Sequence, residues 1–159
     1  MPREGQRPVY DEYLISHRMR AAQMLPELGF AIPKLGQKYP SSSWNPQVFA
    51  LRVAETFPDR LGATEDALFG AMFRELRDIS DPSILREIAR TVGVPESEVD
   101  AAISSSRLRE RAAAEHEEGE EAGITGVPAF VLPDLPPITG AVPTDMYRQA
   151  LQHALDAQD

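Results

Sequence analysis

No cysteine occurs among the 159 residues. Thiol-disulfide exchange starts with a thiolate attacking a disulfide, so this polypeptide by itself has nothing with which to begin that reaction, and it forms no bridge of its own. The absence fits a reducing compartment without requiring one, since some secreted proteins carry no disulfides. Nowhere do apolar residues run on for the ~18 positions a membrane-spanning helix needs, and the polar start has no apolar stretch of the secretory type. A cytoplasmic location and no membrane partner are the expectation. Basic side chains are outnumbered 16 to 25, for a net charge of −9, which argues against binding nucleic acid by neutralising phosphates. The Ser41 to Ser43 and Ser104 to Ser106 runs have no G-x-S-x-G elbow around them, and Gly123-Ile124-Thr125-Gly126 has no Walker lysine. No internal repeat is visible, and no cofactor is expected.

What is present is a mostly helical chain with a short mixed ending. A compact domain of this length buries roughly 68–70% of its unfolded surface, so one domain over 1–159 is expected. Its residues 1–125 read as helical and 126–159 as mixed, an α+β class. From Val9 to Leu28, Tyr10, Tyr13, Leu14, His17, Ala21, Met24 and Leu28 recur at three- and four-residue steps. That spacing predicts a buried helical stripe ended by Gly29. On it, His17 is expected to be half-buried and hydrogen-bonded, not catalytic. Phe30 to Asn45, with Pro33, Gly36 and Pro40, reads as a loop.

Asn45-Pro46 predicts a cap and first turn for a helix through Phe49, Val53 and Phe57. A further helix after Gly62 carries Leu68, Phe69, Met72, Phe73 and Leu76 and is expected to be the best buried. Asp81-Pro82 repeats the cap-then-proline pattern ahead of Ile84, Leu85, Ile88, Ala89 and Val92, and Gly93 ends that helix. Asp78 and Asp81 are read as caps, not as a catalytic carboxylate pair. Helices over Glu96 to Ser104 and Ser106 to Ala122 follow. In the second, His116 and Glu120 share a face. One imidazole with carboxylates is a poor zinc set, so a solvated acidic face is expected, with Gly119 a point of fraying. No metal is expected.

Strand signals come late, at Ala129 to Leu132 and Pro137 to Thr139, and a last helix from Thr144 to Ala157 is expected to bury Tyr147, Leu151 and Leu155. His153 suits the end of that helix. Val127-Pro128 opens the first strand, where a proline's missing N–H costs least. The bond between them is of the one type for which cis is readily accessible. Two short strands are marginal alone and leave unpaired edges. Three remedies are open: a second copy of the chain pairing or exchanging an element, which the edge argument favours; a natural chain that starts further upstream; or helices wrapping the hairpin.

Gly126-Val127-Pro128-Ala129-Phe130-Val131 with Ile138-Thr139-Gly140-Ala141 resembles the cis-proline loop and closing hairpin of DsbA-like thioredoxin-fold proteins, specifically the FrnE-like dithiol-disulfide oxidoreductases. Leu68 to Asp81 and Leu85 to Val94 are similar to that branch's helical insertion. Gly140-Ala141-Val142-Pro143 with Met146-Tyr147-Arg148-Gln149-Ala150-Leu151 is similar to its last helix. The likeness covers about residues 45 to 156. It implies a truncated thioredoxin-like fold with a large helical insertion, in which Pro2-Arg3-Glu4-Gly5 through Tyr13-Leu14 follow the family's second strand and the opening strand and Cys-x-x-Cys helix are missing.

The same resemblance implies a protein disulfide oxidoreductase family member that is redox-inactive in this form, with no catalytic residue. It also implies that Val127 and Pro128 are a docking edge for an extended peptide, although the residues themselves favour the reading that they only shape the start of the strand, since a retained fold keeps such a proline whether or not it is used. A non-catalytic peptide-binding or self-assembling homodimer is the alternative. A relative of the glutathione-dependent 2-hydroxychromene-2-carboxylate isomerases ranks third, because their catalytic serine lies near the start of the fold, which this chain does not contain.

Overall fold

In a computed structural model, residues 9–38, 40, 42–133, 135–140 and 142–156 are described; the sequence readings on Pro2 to Gly5, Ser41, Asp134, Ala141 and Ala157 fall outside them. The chain forms two compact units, 1–110 and 111–159. The first contains α1 (Glu12–Met24), α2 (Trp44–Thr56), α3 (Leu61–Phe69), α4 (Pro82–Val92) and α5 (Ser97–Ile103). Helix α6 (Ser106–Glu121) crosses the division, and the second unit continues through β1 (Ala129–Phe130), β2 (Ile138–Thr139) and α7 (Thr144–Asp156).

Helix α4 shows how local signals set an element. The Asp81 carboxylate accepts the Ser83 backbone N–H at 2.8 Å and the Ser83 hydroxyl at 2.8 Å, meeting one of the donors a helix start leaves open. Pro82 occupies the first turn, where its ring suits the backbone. Gly93 closes the helix at φ +76°, a left-handed conformation in which a Cβ would be strained. Between the caps, Leu85, Ile88 and Ala89 are buried. Asp78 accepts the Ser80 N–H at 2.9 Å, so both aspartates are occupied with the backbone.

The Asp81 carboxyl is held below its ordinary pKa of 3.8, chiefly by the Ser83 hydroxyl and then by the Ser83 N–H. A lowered folded value means the stabilisation is complete above the unfolded pKa and is lost as pH falls through the folded one. Asp81→Ala is therefore expected to lower the urea midpoint by a constant amount from about pH 7 to about pH 5. The gap between the two proteins should narrow only below pH 3.8, which midpoints measured across that range will check.

The core of the first unit joins Val48, Phe49 and Val53 of α2 to Leu68 of α3, Leu85 and Ile88 of α4, Val99 and Ala102 of α5, and Leu108. Each large side chain fully withdrawn from water there contributes about 1.5–3 kcal/mol. Arg52 and Glu98 bridge α2 to α5 at 2.6 Å, and Arg86 and Asp100 bridge α4 to α5 at 2.6 Å. Such solvent-screened pairs add little to stability beside the apolar core.

Several expectations are corrected. Helix α2 begins at Trp44, whose N–H is accepted by the Ser42 hydroxyl at 3.1 Å, and Asn45 is no cap: its amide donates to the Ser80 carbonyl at 2.8 Å. It is α2, not α3, that buries most, because α3 passes into a π-helical turn over Gly70–Arg74 and its 3.6-residue repeat slips there. Phe69, the residue just before that turn, is 62% exposed.

The stripe expected through α1 is covered only in part: Tyr10 just ahead of the helix is buried and Leu14 and Ala21 are half-buried, but Tyr13 is 67% and Met24 70% exposed, and the buried residue of the helix itself is Arg18. Its guanidinium carbon lies 5.2 Å from the Tyr10 ring centre and 4.8 Å from that of Phe73, and a guanidinium N–H donates to the Met72 carbonyl at 3.5 Å. Two aromatic faces thus take the place of water around the cation. Within the Phe30 to Asn45 loop, Lys38 bridges antiparallel to Val9, with the Tyr10 N–H donating to the Gln37 carbonyl at 2.8 Å.

Candidate functional site

The candidate site lies in the second unit and is built outward from the end of α6. Gly119 does not fray the helix: its carbonyl accepts the Ile124 N–H at 2.9 Å, and the Gly123 N–H reaches the Glu120 carbonyl at 2.9 Å. The chain then turns through Gly126 into Val127, which is 89% exposed, and Pro128. The Val127–Pro128 peptide bond is cis. Beyond it, β1 and β2 pair antiparallel, Ala129 with Thr139 and Phe130 with Ile138. The Gly140 N–H donates to the Pro128 carbonyl at 2.7 Å, so the ladder reaches one step past the strands.

Alternation along that ladder decides which groups remain available. In an antiparallel pair, residues that exchange ladder bonds alternate with residues whose N–H and C=O both point away from the partner strand. Pro128 faces Gly140 in a bonded position, so Ala129 and Thr139 form a non-bonded pair. The N–H and C=O of Ala129 accordingly point to the outer edge of β1, beside exposed Val127. Proline at 128 has no N–H to return to the Gly140 carbonyl, so that ladder bond is absent and the Tyr147 hydroxyl donates to the carbonyl instead, at 3.1 Å.

Two shallow concavities flank the loop. One, beside Val127, is lined by Glu115, His116, Glu120 and Ile124. The other, against the hairpin tip, is an open apolar cleft lined by Phe130, Leu132, Leu135, Ile138, Met146 and His153. In the first, His116 Nε2 and Glu120 Oε1 are 3.6 Å apart and both side chains are largely exposed. Among the described residues no group of three or more His, Asp or Glu is gathered in a way that could hold a metal.

The other sequence candidates are placed elsewhere and engaged in local structure. His17 is exposed, not half-buried, and its Nδ1 donates to the Tyr13 carbonyl at 2.8 Å while its ring packs on that of Tyr13 at 4.0 Å. Ser16 lies 3.5 Å from the same nitrogen but its hydroxyl also donates to the Tyr13 carbonyl, so the two do not form a nucleophile and base. Ser104 donates to the Asp100 carbonyl at 2.7 Å and Ser105 accepts the Leu108 N–H at 3.2 Å, both as helix-end bonds.

Tyr147 is the residue whose part the sequence did not disclose. It was expected as an apolar stripe residue, yet its hydroxyl donates to the Gly140 carbonyl at 3.1 Å and accepts the Val142 N–H at 3.4 Å. Helix α7 buries Ala154, whereas Leu151 and Leu155 are 45% and 52% exposed.

Among the described residues no helix is long and apolar enough to cross a membrane. No curated protein matches the chain. A solved structure from Nitrosomonas europaea, described as a "putative protein disulfide isomerase", superposes with a TM-score of 0.76 at 19% identity, covering 98% of this chain and 80% of that one. At that identity the likeness shows a shared fold. Residues 10–152 match the DSBA-like thioredoxin domain, and the chain belongs to that family.

Proposed function

We propose that the chain is a redox-silent DsbA-like domain of the FrnE-like branch that holds an extended peptide along the outer edge of β1. One observation carries the reading: exposed Val127 and Pro128 lead into a strand whose outer N–H and C=O groups are directed away from β2, in a polypeptide with no cysteine. Main-chain hydrogen bonds to such an edge supply affinity without needing a particular side chain. Thiol exchange needs an attacking thiolate, and this sequence offers none. In an insulin reduction assay with dithiothreitol, the chain is expected to leave the rate at that of the reductant alone; turnover above that background would overturn the silent reading.

A second copy of the chain is the competing occupant of the same edge, favoured by the tendency of an uncovered strand to pair with another. Light scattering separates the two. A concentration-independent monomer removes the homodimer, and a dimer that dissociates when peptide is added places both occupants on one edge.

A further inference from the structure

Two strands of two residues each do not hold a register by themselves. Something outside the ladder must fix the position of the Pro128 carbonyl and, with it, the outward groups of Ala129. The Pro128 carbonyl is held by the Gly140 N–H. Gly140 itself leaves β2 at φ +88°, a conformation nearly free to glycine and costly to other residues, so the local backbone has alternatives unless its carbonyl is also tied. Tyr147 ties it. One hydroxyl takes the Gly140 carbonyl at 3.1 Å and the Val142 N–H at 3.4 Å, spanning the connection from β2 to α7. The ring of the same residue meets Phe130 edge-on, with centres 5.4 Å apart and planes at 76°, a favoured geometry for an aromatic pair. Tyr147 therefore touches β1 through its ring and the end of β2 through its hydroxyl.

We infer that Tyr147 is a positioning residue for the peptide edge at Val127, Pro128 and Ala129, acting through Gly140. The inference rests on the docking reading above, and it concerns the hydroxyl specifically. Tyr147→Phe keeps the ring against Phe130 and deletes only the two hydrogen bonds. Without them, Gly140 and Val142 turn to water and the Pro128 carbonyl loses its fixed donor part of the time. The edge then has to be ordered each time a peptide binds, which weakens affinity by the cost of that ordering.

The test compares wild type, Tyr147→Phe and Tyr147→Ala by amide hydrogen exchange, which needs no ligand, and by affinity for carboxymethylated insulin B chain, an unfolded peptide with blocked thiols. In Tyr147→Phe the Gly140 amide is expected to exchange about tenfold faster, with the Gly93 amide of the first unit unchanged, and the peptide Kd to rise about fivefold under conditions where the variant stays fully folded. Tyr147→Ala, which also loses the ring, is expected to exceed both effects. Unchanged exchange at Gly140 overturns the inference whatever the peptide does. Faster exchange with an unchanged Kd overturns the positioning role and leaves a purely structural bond. Failure of the wild-type chain to bind peptide overturns the docking reading, an outcome separable from the other two because the exchange data stand alone.

Discussion

Ala129→Pro is expected to weaken binding of an extended peptide by more than tenfold while leaving the hairpin closed. The Ala129 N–H points away from β2, so proline removes no bond of the ladder, and prolines are tolerated on an outward-facing edge for that reason. The added peptide loses its donor and meets the bulk of the ring. The lost hydrogen bond alone is worth about 0.5–1.5 kcal/mol, up to roughly tenfold in affinity, before the steric cost. Thr139→Pro makes the same change on the far edge and is expected to leave affinity unchanged. Fluorescence anisotropy of labelled, carboxymethylated insulin B chain reads both variants. Loss in Thr139→Pro instead of Ala129→Pro would move the docking edge to β2.

Phe49→Ala carries the largest expected loss of stability, about 3–5 kcal/mol for an aromatic residue removed from a close-packed interior. Phe49 has 0% exposure within the cluster that also contains Val53, Leu85 and Val99. Tyr13→Ala and Met24→Ala are expected to change stability by no more than about 0.5 kcal/mol, since both side chains are mostly in water. Urea unfolding followed by circular dichroism compares the three. A Phe49→Ala loss as small as that of Met24→Ala would mean that the core is centred elsewhere.

That contrast also shows where the sequence was readable. Helix α4 was legible from end to end because its determinants are local: Asp81 and Ser83 two residues apart, proline in the first turn, glycine at the end, and an apolar face between them. The α1 stripe is legible only in part, with Tyr10 buried and Leu14 and Ala21 half-buried, because periodicity identifies an amphipathic face but not how much of it is covered. Arg18, whose long side chain lies between Tyr10 and Phe73, is buried where the apolar pattern pointed to Tyr13 and Met24. In α3 the π turn at Gly70–Arg74 shifts every later residue around the axis, and a pattern with a fixed 3.6-residue repeat has no means of registering that.

The loop at Val127 and Pro128 was readable from proline followed by an aromatic and β-branched run, and it does lead into a strand. The partner that fixes it was not. Tyr147 lies seven residues beyond Gly140 in sequence, and their hydrogen bond exists only because the intervening chain folds the helix start back onto the strand end. A tyrosine in an amphipathic helix reads as one more ring for the core, and the destination of its hydroxyl is a property of the fold.

On the reading proposed above, a DsbA-like chain without thiols keeps the edge on which a peptide can lie. The most direct measurement is an NMR titration of the 15N-labelled protein with carboxymethylated insulin B chain, followed residue by residue through the backbone amides. Saturable shifts are expected at Val127, Ala129 and Phe130, extending through the ladder to Thr139 and Gly140. Saturating peptide that leaves these amides unmoved, or moves only those of residues 9–110, would contradict that reading.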